Sequence, residues 1–209
     1  MARGSDLSLT IYPDPSGDRA FENVCDVLTG RGARRDGTGT FVHGGRPIRV
    51  GPARPAATAP DERAPVRVLL AAEAFSRPES ALDATRKKRV VAAARQATAL
   101  FAAIVDRTRP LYGAIDIDTL PFPTPAELRS GRGDLGSEFF VRRDLLAQAD
   151  LGAVLTRAQR TATEWPAGTF FASWWPFAGL PQAPFADRAA GNVLLGRIAV
   201  RADRQTRAD

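Results

Sequence analysis

The sequence of 209 residues contains one cysteine, one histidine and two lysines. Cys25 alone excludes a disulfide within the chain and a cysteine-based zinc site, and His43 alone excludes any site that needs two histidines. His43 stands before two glycines, where it is either a turn residue or a single catalytic histidine. No apolar run reaches about 18 residues, and the first residues lack the apolar segment of a signal peptide. We therefore expect a cytoplasmic protein that has no membrane-spanning helix and needs no cofactor.

The chain is basic, with a net charge of +6 and an isoelectric point near 10.5. A positive charge suits a nucleic-acid partner. However, nearly all the basic residues are arginines, and alanine is also abundant. This composition is typical of a genome with high-GC codon bias, such as that of an actinobacterium. Phosphate binding requires basic residues on one face, whereas these arginines are scattered. Nucleic acid is therefore an alternative partner and not the favoured one.

Hydrophobic periodicity and turn residues predict the secondary structure. Strands are predicted at about 7–11, 38–43, 47–50, 66–74, 111–118 and 191–202. Helices are predicted from a cap at 16 or 18 to about 28, and at about 76–108, 124–128 and 145–158, with 139–146 either strand or helix. This order predicts an α+β fold, with a mixed, mostly antiparallel sheet and helices packed on one face. We expect one domain over 1–200, with a mobile Pro/Ala-rich loop at about 51–65 and a disordered tail at 201–209.

Two carboxylates, Asp116 and Asp118, end the predicted strand LYGAIDID. Residues two apart on a strand point to the same side, so both aspartates and Ala114 are expected to face away from a core that contains Ile115 and Ile117. Such a pair either binds Mg²⁺ together with substrate phosphates or forms the polar end of an ordinary strand. The run is similar to the first motif of archaeo-eukaryotic-type primases, although the histidine that follows the aspartates there is missing here. The alternative function is a magnesium-dependent enzyme acting on a phosphorylated or nucleotide substrate.

A basic run, RKKR, lies in the first turns of the longest predicted helix. It is either a solvated helix end or an anion-binding site. The candidate anion-binding residues are Arg86, Lys87, Lys88 and Arg89.

A segment of 14 residues, EWPAGTFFASWWPF, contains three tryptophans and three phenylalanines. Such a density of aromatic residues either builds a core or forms a recognition surface, because aromatic residues dominate binding hot spots. Adjacent Trp174 and Trp175 cannot both face inward from one strand, and we expect Trp175 to be the more exposed. The candidate partner-binding residues are Trp165, Phe171, Trp174, Trp175 and Phe177.

Residues 111–171 resemble small α+β immunity proteins that are encoded beside polymorphic toxins. The resemblance consists of a strand with Tyr-Gly, a proline-rich turn into a short helix, and a late Trp-x-x-Gly turn. It is found at Tyr112, Gly113, Pro121, Pro123, Pro125, Leu128, Trp165 and Gly168. It implies a protein without catalytic residues that occludes a partner's site. Many immunity proteins are acidic, whereas this chain is basic. The favoured hypothesis is a non-enzymatic protein that binds another protein.

Overall fold

The computed structural model describes residues 6–14, 19–53, 63–75, 79–117, 122–148, 151–158, 161–178 and 188–205. Its strands are β1 (Asp6–Tyr12), β2 (Arg34–Gly37), β3 (Thr40–His43), β4 (Arg46–Pro52), β5 (Val66–Ala71), β6 (Tyr112–Ile117), β7 (Glu138–Arg142), β8 (Thr161–Trp165) and β9 (Gly168–Ala172). Its helices are α1 (Ala20–Gly30), α2 (Ala84–Thr108), α3 (Pro125–Arg129), α4 (Arg143–Leu146), α5 (Leu151–Ala158), α6 (Trp175–Ala178) and α7 (Arg188–Gln205). No helix in these ranges combines the length and the apolar character that a membrane span requires.

The strands form one sheet of order β2-β3-β4-β5-β1-β6-β7-β9-β8. The predicted α+β class is confirmed, and every pairing between the described strands is antiparallel. The central strand β1 alternates Leu7, Leu9 and Ile11 with Ser8 and Thr10. The two hydroxyl residues are nevertheless 1% exposed, and their oxygens lie 2.9 Å apart in a hydrogen bond. Both faces of β1 are therefore buried, and the alternation separates an apolar face from a face that carries hydroxyl groups.

Helices cover both faces of the sheet, so the prediction of helices on one face is wrong. One face of the sheet packs on α1, α2 and α6 around Leu9, Val68 and Phe101. The other packs on α3, α4, α5 and α7 around Tyr112 and Phe139. Ala114, which was expected to face outward, is 0% exposed in this second core.

The last helix corrects another prediction, because residues 191–202 were expected to form a strand. They belong to α7, whose buried Leu195, Ile198 and Ala199 recur at helical spacing on the second core. The helix continues to Gln205, so the first part of the predicted disordered tail is ordered, and 206–209 lie outside the described residues. Of the predicted loop at 51–65, Gly51 and Pro52 belong to β4, and 54–62 are outside the described ranges.

Two helix starts show how local caps set the boundaries. Helix α3 begins as predicted, because Thr124 and Glu127 form a reciprocal capping box. Helix α2 begins later than predicted, because Asp83 accepts a hydrogen bond from the backbone N–H of Arg86 at 2.8 Å. The predicted start at 76 lies outside the described residues, and a short 3-10 turn occupies Glu79–Ala81.

Candidate partner-binding surface

The aromatic segment divides between two strands and a short helix. Strand β9 ends at Ala172, Trp174 lies just before α6, and Trp175 is the first residue of α6. The expectation that one tryptophan faces in and the other out, which assumed a continuing strand, is therefore wrong. Both rings are half-buried, and both pack on the first core.

Phe171 and Trp165 pack mainly against other aromatic side chains of the same chain. Phe171 is 1% exposed, and its ring stacks on Phe139 with centroids 5.2 Å apart, so it belongs to the second core. Trp165 is half-buried and stacks on Phe170 with centroids 4.7 Å apart and an interplanar angle of 2°. Phe140 stacks on it as well, at 5.8 Å. Phe171 therefore cannot contact a partner, and Trp165 is held mainly by its own chain.

Trp174, Trp175 and Phe177 form what we call the aromatic surface. Its three side chains are half-buried, so each offers part of its area to solvent. Phe75 lies beneath it, with its ring centroid 5.5 Å from that of Trp174 and 6.1 Å from that of Phe177. Trp174 and Phe177 also contact each other, at 5.5 Å. The aromatic surface is thus supported from below by a buried ring.

Glu138, which no sequence pattern singled out, fixes the backbone at Trp174, the first residue of the aromatic surface. It is 4% exposed at the start of β7. Its Oε1 accepts hydrogen bonds from the backbone N–H of Trp174 at 2.8 Å and of Ser173 at 3.3 Å. A carboxylate accepting from backbone N–H groups forms charge-assisted hydrogen bonds, which are roughly twice as strong as neutral ones. The only sequence signal was an acidic residue before the apolar run FFV.

We expect Glu138→Gln to lower the free energy of unfolding by about 1 kcal/mol, because an amide oxygen replaces a charged acceptor. The change should also alter the near-ultraviolet circular dichroism of the tryptophans, since Glu138 positions Trp174. Urea denaturation checks the first effect. Glu22→Gln is the matched control, because Glu22 is exposed on α1. Equal losses for the two variants would contradict the positioning role.

The structure brings the basic run next to the aromatic surface. The Lys87 Nζ lies 6.0 Å from the centroid of the Trp175 ring, a cation–π contact, and 3.3 Å from an oxygen of Glu79. Arg86 lies 3.6 Å from the carboxylate of Asp83. Lys88 and Arg89 are exposed. Of the predicted anion-binding residues, Lys87 therefore lies at the edge of the aromatic surface, a contact that no single sequence motif contains.

The predicted metal site is described only in part. Asp116 is half-buried on β6, opposite Ser8 of β1, and Asp118 lies outside the described residues. A side chain at Gly136 would overlap the Asp116 carboxylate, so that carboxylate packs against backbone. Within the described ranges, no three or more His, Cys, Asp or Glu side chains gather as metal ligands would. Metal binding by the two aspartates remains a prediction.

The lone histidine and cysteine differ in their surroundings. His43 ends β3 and is exposed in the β3–β4 hairpin, where the turn prediction placed it. Cys25 is 5% exposed on the inner side of α1. Burial raises the pKa of its thiol, and the charges of Glu22 and Asp26 add to this, although that of Arg35 opposes it. A buried thiol with a raised pKa is a poor nucleophile.

Comparison with known families, curated proteins and solved structures finds nothing that matches this chain. The function is therefore inferred from the aromatic surface and the charges beside it.

Proposed function

We propose that this protein acts by binding another protein through the aromatic surface. The observation that supports this is the position of three large aromatic side chains, Trp174, Trp175 and Phe177, half-buried together at one short helix. Tryptophan is enriched in binding hot spots because it contributes a large contact area at a small cost in conformational entropy. Glu138 and Phe75 fix the surface from below, so little order has to be gained on binding.

The charges beside the aromatic surface indicate the chemistry of the partner. Lys88 and Arg89 are exposed, and Lys87 adjoins Trp175. We therefore propose a partner that presents an apolar patch with acidic residues at its edge. Charge complementarity at the rim speeds association and selects among partners, while the buried aromatic groups supply most of the affinity.

The mode of action that we propose is occlusion, with the partner's site covered and no reaction catalysed. The resemblance of residues 111–171 to immunity proteins supports this mode, and a toxin with an acidic surface fits it. We place this action in the cytoplasm and assign it no cofactor.

Affinity purification from the native host, under gentle conditions, tests the proposal with matched variants. We expect one stoichiometric partner to be recovered with the wild-type chain and with Arg129→Glu, a charge reversal at an exposed side chain in the last turn of α3. We expect Trp175→Ala to weaken binding by about 2 kcal/mol, roughly 30-fold, and Lys88→Glu to slow association. Trp175→Ala should cost only about 1 kcal/mol of stability, as for most partly exposed positions.

Two outcomes contradict the proposal. One is recovery of no stoichiometric partner. The other is equal recovery with Trp175→Ala, Lys88→Glu and wild type, which would place the contact elsewhere. Denaturation curves for each variant separate a lost contact from a lost fold.

A further inference from the structure

A cavity of about 400 Å³ lies between α2 and the part of the sheet that contains β1, β4 and β5. Its volume falls within the range of small-molecule sites, about 300–1,000 Å³. The apolar wall is formed by β-strands, α1, α2 and a 3-10 turn at Glu73–Phe75 that follows β5. Its main side chains are Leu7, Leu28, Ile48, Leu70, Phe75 and Leu100.

The polar residues of the cavity lining are Arg31, His43, Arg46 and Gln96, and its two charged groups are the arginines. Arg31 follows the end of α1, and His43 and Arg46 flank the turn of the β3–β4 hairpin. The His43 Cε1 lies 3.9 Å from where a Cβ at Gly32 would be, so the hairpin lies against the end of α1. This contact gathers the three side chains at the mouth of the cavity, and none of the acidic residues that the structure describes lines it.

The two arginines at the mouth are available to a ligand. Arg31 and Arg46 are exposed, and neither forms an ion pair with a carboxylate of the described residues. A guanidinium group matches a carboxylate with two parallel hydrogen bonds. An anionic group at the mouth would therefore meet two cations, whereas a cationic group would be repelled.

We infer that this cavity binds a small amphipathic carboxylate, with its apolar chain inside and its carboxylate at Arg31 and Arg46. Burial of the chain gains about 25 cal/mol for each Å² of apolar surface removed from water. The site lies on other residues than the aromatic surface, apart from Phe75 beneath it, and it does not depend on the proposed protein binding.

Calorimetric titration of the full chain with decanoate, below its micelle concentration, tests this inference. Decanol and decyltrimethylammonium carry the same chain with a neutral and a cationic head. We expect decanoate to bind at one site and decanol to bind about tenfold more weakly, the factor of one charge-assisted hydrogen bond. The double variant Arg31→Gln/Arg46→Gln should lose that tenfold for decanoate and change decanol little.

A second pair of variants locates the chain of the ligand. Ala93 lines the cavity, whereas its neighbour Ala92 is exposed on α2 and does not. We expect Ala93→Leu to fill the cavity and reduce decanoate binding at least about tenfold, and Ala92→Leu to leave it unchanged. Absence of decanoate binding, equal binding of all three ligands, or equal binding by Ala93→Leu and wild type would overturn the inference.

Discussion

Gly196→Ala is expected to lower the free energy of unfolding by about 3 kcal/mol or more, the upper range for an overpacked core. Helix α7 crosses α3 at this glycine. A Cβ there would overlap the backbone nitrogen of Arg129, and it would lie 2.6 Å from the carbonyl carbon of Leu128. These atoms are backbone within a capped helix, so α7 must move away from α3 and open the second core. Chemical denaturation measures the loss.

Gly152→Ala is the matched control, because Gly152 is also a helical glycine, in α5. The nearest atom to its added Cβ is the Leu146 carbonyl oxygen, at 3.7 Å, an ordinary contact. We expect this change to stabilise the chain by about 0.5 kcal/mol, since alanine favours helix more than glycine does. If Gly196→Ala is as well tolerated as Gly152→Ala, the close crossing of α3 and α7 is wrong.

The last element was predicted wrongly because its apolar residues fit two periodicities. Leu194, Ile198 and Val200 fall on one side of a strand, while Leu195, Ile198 and Ala199 fall on one side of a helix. Both patterns fit a short apolar stretch, and only long-range packing on the second core chooses between them. The burial of Ala114 on β6 was hard to predict for the same reason, because the helices that cover it come much later in the chain.

Local signals were reliable where one cap or turn decides the structure. The Thr124 capping box and the exposed β3–β4 hairpin follow from neighbouring residues and were predicted. Three of the five predicted partner-binding residues lie together in the aromatic surface, and the sequence did not indicate which basic residue adjoins them. Trp175 and Lys87 belonged to two separate motifs in the sequence, and the fold brings them into contact. The expectation that Trp174 and Trp175 face opposite sides failed because β9 ends at Ala172. The next backbone N–H groups, of Ser173 and Trp174, donate hydrogen bonds to Glu138.

Trp165→Ala is expected to lower the free energy of unfolding by about 3 kcal/mol, the lower end for removal of a packed aromatic side chain. The ring stacks on Phe170 at 4.7 Å and on Phe140 at 5.8 Å, and it meets the edge of Phe101 at 6.0 Å. Aromatic pairs add about 0.5–1.5 kcal/mol each to the effect of burial. Deleting the indole removes all three contacts and leaves a gap between β8 and α2.

Trp165→Phe is the control, since it keeps an aromatic ring in the stack and should recover more than half of the lost stability. Trp175→Ala gives the comparison with the aromatic surface, where the ring is half-buried. We expect denaturant midpoints to rank wild type, Trp175→Ala and Trp165→Ala in falling order. A Trp165→Ala midpoint equal to that of Trp175→Ala would mean that Trp165 adds little to the first core. Trp165 would then again be a candidate partner-binding residue, because contact of its exposed part with a partner would be its main remaining role.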